Sequence, residues 1–412
     1  MQRQNINSRE SEAMTNPLAY LSEQLEELKK TGSYFRLKEL ESACMPVSRV
    51  NGKDVINLAS NNYLGLANHP KLVEAAIEAT RKFGAGSGAV RTITGTMAMH
   101  MELERRIARF KHTEAAVVFQ SGFTANAGTV SSILTPDDHI VSDELNHASI
   151  IDGCRLSRAK IHVFPHRDVA AAEKILTELD SLPARKLLIT DGVFSMDGDI
   201  GPLPGLVEAA ERHGSIMMVD DAHSSGVLGR NGRGTVDHFG LHGRVSIQVG
   251  TLSKAIGSLG GYVCGSKDFI EYLYHRARPF LFSTSHPPAV TAACLAAFDL
   301  LENEPERIET LWENTRYFKA LLTERGFDTG ASETPITPIL VGEAKTAHEY
   351  SSALFEEGLW ATGIGFPTVP KGKARIRTIV TAAHTKQQLD QAAEILSRVG
   401  RRMGIGSAVA DA

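Results

Sequence analysis

Three polar residues of the types used in covalent catalysis follow two apolar segments of this sequence. Lys254 lies in a glycine-rich turn directly after the apolar segment 245–249, and Asp220 and His223 follow the apolar segment 216–219. Because ligands bind at the carboxyl ends of strands in open α/β sheets, we expect the three side chains to meet at one site. A lysine amine can form an imine with pyridoxal 5′-phosphate (PLP), and a carboxylate keeps the pyridine nitrogen of PLP protonated. The pattern predicts a PLP pocket, although a solvated lysine and turn-forming aspartates are the alternatives for each residue alone.

A phosphate site is predicted upstream, where an apolar strand leads into a helix. The segment Ala115–Phe119 precedes Ser121, Gly122 and Phe123, after which a helical pattern begins. A helix N-terminus offers free backbone N–H groups and the positive end of the helix dipole to a phosphate. An ordinary helix cap by Ser121 or Thr124 is the alternative.

A histidine is placed where it could contact the same ligand. His147 lies near the start of the helix that follows the predicted strand 139–142. An imidazole in that position can stack on a flat cofactor ring. A capping or core histidine is the alternative.

The motifs of other enzyme classes lack the context that they need. Gly84–Ala89 resembles a dinucleotide-binding loop, but it follows the predicted helix 71–83 rather than a strand. No Gly-x-Ser-x-Gly motif follows a strand, which disfavours a serine hydrolase. Neither the histidines nor the cysteines have the sequence spacing of a zinc site, so no metal is expected.

The composition argues against nucleic-acid and membrane partners. The 412 residues carry a formal net charge of −4 and a pI near 6.4, which provides no general attraction to polyanions. The four cysteines are widely spaced, and the N-terminus lacks an apolar signal core. No run of about 18 apolar residues appears. We therefore expect a cytoplasmic protein.

Apolar strands alternate with helical patterns along most of the chain. Strands are predicted at 115–119, 139–142, 161–164, 186–190, 215–220, 246–250 and 260–264, with helices at 17–30, 70–82, 98–110, 204–213 and 386–403. This alternation predicts an α/β fold whose largely parallel sheet is covered by helices on both faces. We expect an N-terminal leader and helix over 1–56, with residues 1–15 disordered, a large domain over 57–286 and a small C-terminal α+β domain over 287–412.

Motifs along the whole chain resemble those of the α-oxoamine synthases, PLP enzymes of the aspartate aminotransferase fold that join an amino acid to an acyl-CoA. They are Asn61–Leu66, Asn146–Ser149, Asp191–Gly198, Val219–His223, Thr251–Lys254, Phe282–Ser285 and Lys373–Arg377, in the expected order. The likeness extends from about Leu18 to Gly404. Within the family, the segments 146–153, 278–283 and 369–377 most resemble 2-amino-3-ketobutyrate CoA ligase, also called glycine C-acetyltransferase. The resemblance implies a PLP-dependent transferase of fold type I.

The resemblance also implies a role for each residue of the predicted pocket. Lys254 would hold PLP and remove the α-proton of the amino acid, and Asp220 would face the pyridine nitrogen. His223 would reach the phenolic oxygen of the ring. His147 would lie against the ring face, and Ser195 would help to orient the cofactor.

The phosphate of PLP would be bound by residues of two subunits. The Ser121 turn would present the backbone N–H groups of Gly122 and Phe123, joined by the hydroxyl of Thr251. In this family a hydroxyl from the neighbouring subunit completes the phosphate site, and Thr284 matches that position. The resemblance therefore implies a homodimer with shared active sites.

The substrate carboxylate calls for a bidentate cation, which arginine supplies better than lysine. The resemblance implies Arg377, with Asn62 as its partner; a surface arginine on an edge strand is the alternative. The implied reaction joins glycine to acetyl-CoA or another short acyl-CoA, giving 2-amino-3-ketobutyrate and CoA. A decarboxylating member such as 8-amino-7-oxononanoate synthase, which uses L-alanine and a pimeloyl thioester, or a broad-specificity member is the alternative. A PLP aminotransferase and a PLP-binding regulator are the other classes to consider.

Overall fold

The computed structural model describes residues 16–31 and 34–406 of the chain. Its helices are α1 (Tyr20–Lys30), α2 (Pro70–Phe83), α3 (Ala98–Phe110), α4 (Gly122–Ile133), α5 (Ala148–Ser157), α6 (Val169–Leu179), α7 (Leu203–Arg212), α8 (Thr235–His238), α9 (Lys267–Arg276), α10 (Arg278–Leu281), α11 (Pro288–Asn303), α12 (Glu306–Glu324), α13 (Ala344–Glu356) and α14 (Lys386–Met403). Its strands are β1 (Val47–Val50), β2 (Lys53–Asn57), β3 (Ala115–Phe119), β4 (His139–Asp143), β5 (Lys160–Phe164), β6 (Lys186–Asp191), β7 (Ile216–Asp220), β8 (Ile247–Thr251), β9 (Gly261–Gly265), β10 (Ile336–Gly342), β11 (Leu359–Trp360), β12 (Thr362–Ile364) and β13 (Ala374–Ile379). The predicted disordered leader, residues 1–15, lies outside the described residues.

The central sheet has seven strands in the order β3-β9-β8-β7-β6-β4-β5. Strand β9 is antiparallel to both of its neighbours, and the other adjacent pairs are parallel. The α/β fold with a largely parallel sheet, predicted from the alternation of strands and helices, is confirmed.

Helices cover both faces of this sheet, which explains why its strands are apolar runs rather than alternating patterns. All residues of β6 are buried. Leu187 and Ile189 pack in one buried cluster with side chains of α4 and α5, and Leu188 packs in another with side chains of α6 and α7. Successive side chains of a strand thus enter different cores, as the two-residue period of a strand requires.

The register of the parallel strands brings their polar ends to one level. Asp191, the last residue of β6, lies opposite Asp220, the last residue of β7. Asp220 in turn lies opposite Val249 of β8, which ends two residues later at Thr251. The carboxyl ends of these strands therefore place acidic and hydroxyl side chains at one edge of the sheet.

Two small sheets form a separate layer with the C-terminal helices. Their orders are β1-β2-β11 and β10-β13-β12. Ile56 of β2 pairs with Leu359 of β11, so an N-terminal segment joins the C-terminal part of the chain. Both residues lie in a buried cluster with Leu354 of α13 and Leu396 of α14.

The packing of α11 bears on where the small domain begins. Phe298 of α11 lies in one buried cluster with Leu103 of α3, and α11 also packs against α2. The domain bounds 1–56, 57–286 and 287–412 stay predictions. We propose that α11 belongs with the large domain and that the small domain starts after this helix.

The first helix begins later than its leucine spacing predicts. Residues 17–19 form a turn, and α1 starts at Tyr20. Leu21, Leu25 and Leu28 remain exposed, so the apolar face of α1 is not covered by the described part of the chain. Among the helices of residues 16–31 and 34–406, none combines the length and apolar character needed to cross a membrane.

A fully buried ion pair anchors the segment that follows β7. Lys111 Nζ lies 2.7 Å from Asp221 Oδ2, and neither side chain has any exposed surface. Lys111 also donates to the Arg233 carbonyl oxygen at 2.5 Å. Burial by itself lowers the pKa of Lys111, but the Asp221 carboxylate outweighs it and holds that pKa above its ordinary value. The second oxygen of Asp221 accepts hydrogen bonds from Ser224 and Thr235.

Replacing Lys111 by Met should lower the free energy of unfolding by about 3–5 kcal/mol, because Asp221 becomes an uncompensated buried charge. Arg105→Met is the matched control, since Arg105 forms an exposed ion pair with Glu102 on the same helix. That change should cost less than about 1 kcal/mol. Chemical denaturation followed by circular dichroism measures both. Equal losses in the two variants would show that the buried pair does not anchor the fold.

Candidate active site

Lys254 lies in the turn after β8, with its amine at the carboxyl edge of the central sheet. Its Nζ is 2.9 Å from Nε2 of His223. The other ring nitrogen of His223 is 2.8 Å from the hydroxyl of Tyr63, which comes from the segment after β2. The loops after β7 and β8 and the N-terminal segment therefore meet in one chain of polar contacts.

Burial favours the uncharged forms of Lys254 and His223 by lowering their pKa values. It lowers the pKa of Lys254 to about 8, although the charges of Asp220 and Asp191 act in the opposite direction. The pKa of His223 lies well below its ordinary value because of burial and the positive charge of Lys254. A neutral amine is a nucleophile, so this environment suits a lysine that forms an imine.

Asp220 is buried and held by neutral donors. Its Oδ2 accepts a hydrogen bond of 2.7 Å from the side-chain amide of Asn126, and its Oδ1 accepts one of 2.8 Å from the backbone N–H of Ala222. Asn126 also donates to Ser149 Oγ at 2.9 Å. The carboxylate is thus fixed in orientation without a cation against it among the described residues.

The sequence left two roles open for His147: contact with a cofactor ring, or capping of a helix. It is the N-cap residue of α5, and its Nδ1 lies 2.7 Å from the hydroxyl of Ser149. The same residue is one of those that line a cleft beside Ser195. Burial lowers the pKa of His147, the charge of Asp220 opposes this, and the charges of Lys254 and Arg377 add to it.

Asp191 is a further buried acid of the site. Its Oδ2 accepts the backbone N–H of His147 at 2.7 Å. Burial raises its pKa well above the ordinary value, and the neighbouring charge of Asp220 raises it further. Two carboxylates at the ends of adjacent strands cannot both ionise cheaply. Asp191 therefore retains a proton at pH values where an exposed aspartate has lost it.

The residues of the predicted phosphate site lie together at the start of α4. Ser121 caps the helix and accepts the backbone N–H of Thr124 at 3.1 Å, so the alternative role as a cap is present as well. A Cβ on Gly122 would lie 3.6 Å from Cβ of Thr251, which places the β8 hydroxyl beside the helix start. The first N–H groups of a helix, here those of Gly122 and Phe123, have no partner within the helix.

Strand β9 passes very close to this turn. A Cβ on Gly261 would lie 2.4 Å from the Ser121 carbonyl oxygen and 2.5 Å from the Gly122 nitrogen. Only glycine permits this approach. The side-chain amide of Gln120 donates to the Thr284 carbonyl oxygen at 2.8 Å, which places the exposed Thr284 beside the same turn.

Arg377 reaches the site from β13 in the C-terminal layer. Its Nη1 donates to the Ser195 carbonyl oxygen at 3.2 Å, and its Nε is buried without a partner among the described residues. The structure does not bring the Asn62 amide to Arg377, because that amide donates to the Cys44 carbonyl oxygen and accepts the Ala67 N–H. The adjacent Asn61 instead carries a buried side-chain oxygen without a partner in the described chain.

Sequence reasoning missed Tyr63, Asn126 and Asp191 as members of the site. Tyr63 and Asp191 each lie inside a motif that carried the family resemblance, but the motif alone did not indicate a role for either residue. Asn126 is the one amide of α4, which otherwise consists of small or apolar residues, and its side chain is fully buried. A lone amide in such a helix suggests a buried polar contact, because it needs a partner.

A largely apolar cleft opens next to His147 and Ser195. Its volume is about 490 Å³, and its apolar walls include Leu145, Ile151 and Phe366. A second cleft of about 410 Å³ shares Leu145 with it and contains Lys373. The walls of the first cleft can take up a hydrocarbon chain.

Lys254 should become reactive toward an aldehyde around pH 8. Burial lowers its pKa to about 8, so the neutral fraction rises through that pH instead of near the value of free lysine, about 10.4. The rate of imine formation between the PLP-free protein and PLP, followed by absorbance against pH, measures this midpoint. Borohydride reduction and peptide mapping should place the label on Lys254. A midpoint near that of Nα-acetyl-lysine would contradict the desolvated environment.

Comparison with known proteins places this site within a family. Residues 53–396 match the family described as class I and II aminotransferases. The chain is 63% identical over 386 residues to the 8-amino-7-oxononanoate synthase of Symbiobacterium thermophilum, covering 94% of this chain and 98% of the relative. It is 56% identical over 390 residues to 8-amino-7-oxononanoate synthase 1 of Bacillus subtilis, covering 95% and 99%.

Solved structures agree with the fold and the cofactor. Serine palmitoyltransferase of S. paucimobilis, bound to a PLP–myriocin aldimine, matches with a TM-score of 0.89 at 33% identity and covers 94% of this chain and 98% of that chain. The subfamily prediction of a glycine C-acetyltransferase is not supported, because the sequence relatives above are 8-amino-7-oxononanoate synthases. The broader prediction is confirmed: the chain belongs to the class I and II aminotransferase family and, within it, to the PLP-dependent α-oxoamine synthases, which are acyltransferases.

Proposed function

We propose that this protein is an 8-amino-7-oxononanoate synthase. It joins L-alanine to the acyl group of a pimeloyl thioester, forming a carbon–carbon bond and releasing the thiol and carbon dioxide. The observation that carries this proposal is the 63% identity to a synthase of that name over nearly its whole length. The sequence analysis gave this decarboxylating reaction as the alternative, and we now prefer it to the reaction of glycine with acetyl-CoA.

The residues at the carboxyl edge of the sheet fit PLP. A buried amine, a buried carboxylate without a cation and a helix N-terminus are the groups that the aldehyde, the pyridine nitrogen and the phosphate of PLP require. When bound, PLP supplies an electron sink that stabilises negative charge on the α-carbon of an amino acid.

Lys254 is the proposed covalent anchor and proton carrier. Burial keeps its amine neutral for much of the time near pH 8, so it can react with an aldehyde and afterwards accept the α-proton of the substrate at Nζ. His223, 2.9 Å away, and Tyr63 behind it hold the amine at the site. His223 is also the proposed contact to the phenolic oxygen.

Asp220 is the proposed partner of the pyridine nitrogen. Hydrogen bonds from Asn126 and Ala222 fix both of its oxygens. A buried negative charge facing the ring stabilises a proton on the nitrogen. We propose that His147 lies against the ring face, where Asp191 holds its backbone N–H, and that Ser195 helps to orient the ring.

Arg377 is the proposed site for the carboxylate of L-alanine. Its guanidinium is largely buried, and its Nε has no partner among residues 16–31 and 34–406. A buried donor without a partner costs free energy, and a bound carboxylate removes that cost. Asn62 stays the predicted second residue for this carboxylate, because the unpaired side-chain atom of the adjacent Asn61 is an oxygen, which accepts hydrogen bonds as a carboxylate does.

We propose that the active form is a homodimer with shared active sites. Large apolar side chains are exposed around the phosphate turn: Ile93 is 74% exposed, Phe282 69%, Leu259 50% and Phe123 47%. Exposed large apolar side chains of this kind are found at interaction sites. Thr284 is exposed next to Gln120, and we propose that its hydroxyl enters the phosphate site of a second copy.

A matrix of two amino acids and two thioesters tests the proposed reaction. With pimeloyl thioester, L-alanine should give the mass of 8-amino-7-oxononanoate and release labelled carbon dioxide from carboxyl-labelled alanine. Its kcat/KM should exceed that of glycine with acetyl-CoA by at least about tenfold. Lys254→Ala is the control: it should abolish turnover while the protein still binds PLP noncovalently. A preference for glycine and acetyl-CoA without carbon dioxide would overturn the proposal.

Gly261→Ala should weaken PLP binding by about tenfold or more, because its Cβ forces the Ser121–Gly122 backbone to move. Gly86→Ala is the matched control, since a Cβ at Gly86 meets nothing within 4 Å. Equilibrium titration of the PLP-free variants, followed by absorbance, compares the two. Unchanged PLP affinity in Gly261→Ala would show that the phosphate does not bind at the Ser121–Gly122 turn.

Mixed dimers test the shared site. A subunit carrying Lys254→Ala and a subunit carrying Thr284→Ala would together form one intact and one doubly altered site. The purified mixed dimer should show about half of the wild-type activity, with wild-type PLP affinity at the working site. An affinity equal to that of the Thr284→Ala homodimer would show that Thr284 serves its own chain.

A further inference from the structure

A second group of chemically competent side chains lies on the surface, apart from the cleft. His112 follows α3, Asp237 lies in α8, and His242 lies in the loop after α8. One ligand atom from each residue lies within 4.8 Å of the others. His242 Nε2 is 2.9 Å from Asp237 Oδ1, and the two imidazole rings have centroids 4.6 Å apart.

The backbone fixes two of these residues in place. Oδ2 of Asp237 accepts the backbone N–H of Arg230 at 2.5 Å, which leaves Oδ1 directed at His242. His112 adopts a left-handed conformation with φ 53°, which is uncommon for a residue with a side chain. Its N–H donates to the Arg109 carbonyl oxygen at 3.2 Å. Such outer contacts are what orient ligands in metal sites.

The residue types match one class of ligand. Two imidazoles and a carboxylate, with one open position for water, are a donor set that zinc(II) accepts. In a tetrahedral site with bonds of about 2.0–2.1 Å, neighbouring ligand atoms lie roughly 3.3 Å apart. The ligand atoms lie within 4.8 Å of one another, so each distance has to shorten by at most about 1.5 Å to reach that spacing.

Positive charge near the cluster limits its affinity for a cation. The charges of Arg233 and Arg230 act on His112, and Asp237 accepts the backbone N–H of Arg230. These two arginines repel a cation, so the binding we expect is moderate.

We propose that His112, Asp237 and His242 form a zinc(II) site that ties the end of α3 to the segment around α8. Lys111, the residue before His112, holds Asp221 and the Arg233 carbonyl oxygen. A metal at this point would therefore link the two segments that enclose the buried ion pair next to Asp220. His112 lies far in sequence from Asp237 and His242, which is why the three residues show no zinc spacing in the sequence.

The test uses the PLP-loaded enzyme after treatment with a chelator. Zinc(II) added in competition with a metal-binding dye should bind at one site per chain and raise the Tm. Cobalt(II) should give the visible absorption of a tetrahedral centre at the same stoichiometry. His242→Gln, Asp237→Asn and His112→Asn each remove one ligand. Asparagine suits the left-handed backbone of His112, and the amide of Asp237→Asn can still accept the Arg230 N–H.

Each of these variants should bind zinc(II) at least about tenfold more weakly and lose the Tm rise. His238→Gln is the matched control, because His238 is exposed on α8 beside Asp237 but outside the cluster, and its zinc affinity should be unchanged. Circular dichroism and PLP absorbance establish that the variants are folded. Absence of saturable binding in the wild type, or equal affinity in all variants, as expected for binding at Lys254 and His223, would overturn the proposal.

Discussion

A buried carboxylate needs compensation, and Asp220 has only neutral donors for it among the described residues. The amide of Asn126 and the N–H of Ala222 hold its two oxygens. The next residue, Asp221, is by contrast paired with Lys111 inside the protein. One of the two adjacent acids is thus paired by the fold, and the other, Asp220, is the one that we propose faces a protonated ring nitrogen. The negative charge of Asp220 also raises the pKa of Asp191 and, against the effect of burial, that of Lys254.

The buried contacts of Asp221 hold the loop after β7 in place. Lys111, Ser224 and Thr235 all contact Asp221, so the loop cannot shift without exposing or breaking a buried ion pair. His223 lies in that loop and contacts both Lys254 and Tyr63. The Lys111–Asp221 ion pair, which has no role in the proposed chemistry, therefore fixes the loop that positions the Lys254 amine.

The site also depends on contacts between the layers of the molecule. Arg377 comes from β13 and donates to the Ser195 carbonyl oxygen of the large domain, while Tyr63 comes from the segment after β2. Strand β9 approaches the Ser121 turn so closely that the position of Gly261 has no room for a side chain. Hydrogen bonds and close backbone approach thus join elements that are distant in the chain.

The sequence by itself determined the α/β class, the strands of the central sheet, and Lys254, Asp220, His223 and His147 as neighbours. These features depend on local apolar patterns and on the rule that parallel strands end at one edge. Its motifs also determined the family, but the acyl and amino acid substrates were predicted from short segments that resembled a subfamily which the comparisons do not support. The walls of the cleft beside His147, in contrast, come from segments that are distant in the sequence.

Only the tertiary structure decided which polar neighbours complete the site. It placed the Asn62 amide against Cys44 and Ala67 and left the Asn61 side-chain oxygen buried and unpaired in the described chain, a distinction that adjacent, identical residue types cannot reveal. It also brought Asp191 beside Asp220 through strand register, and His112, which follows α3, beside His242, which follows α8. The physical reason is the same in each case: long-range pairing and packing, rather than local spacing, set the distances between these side chains.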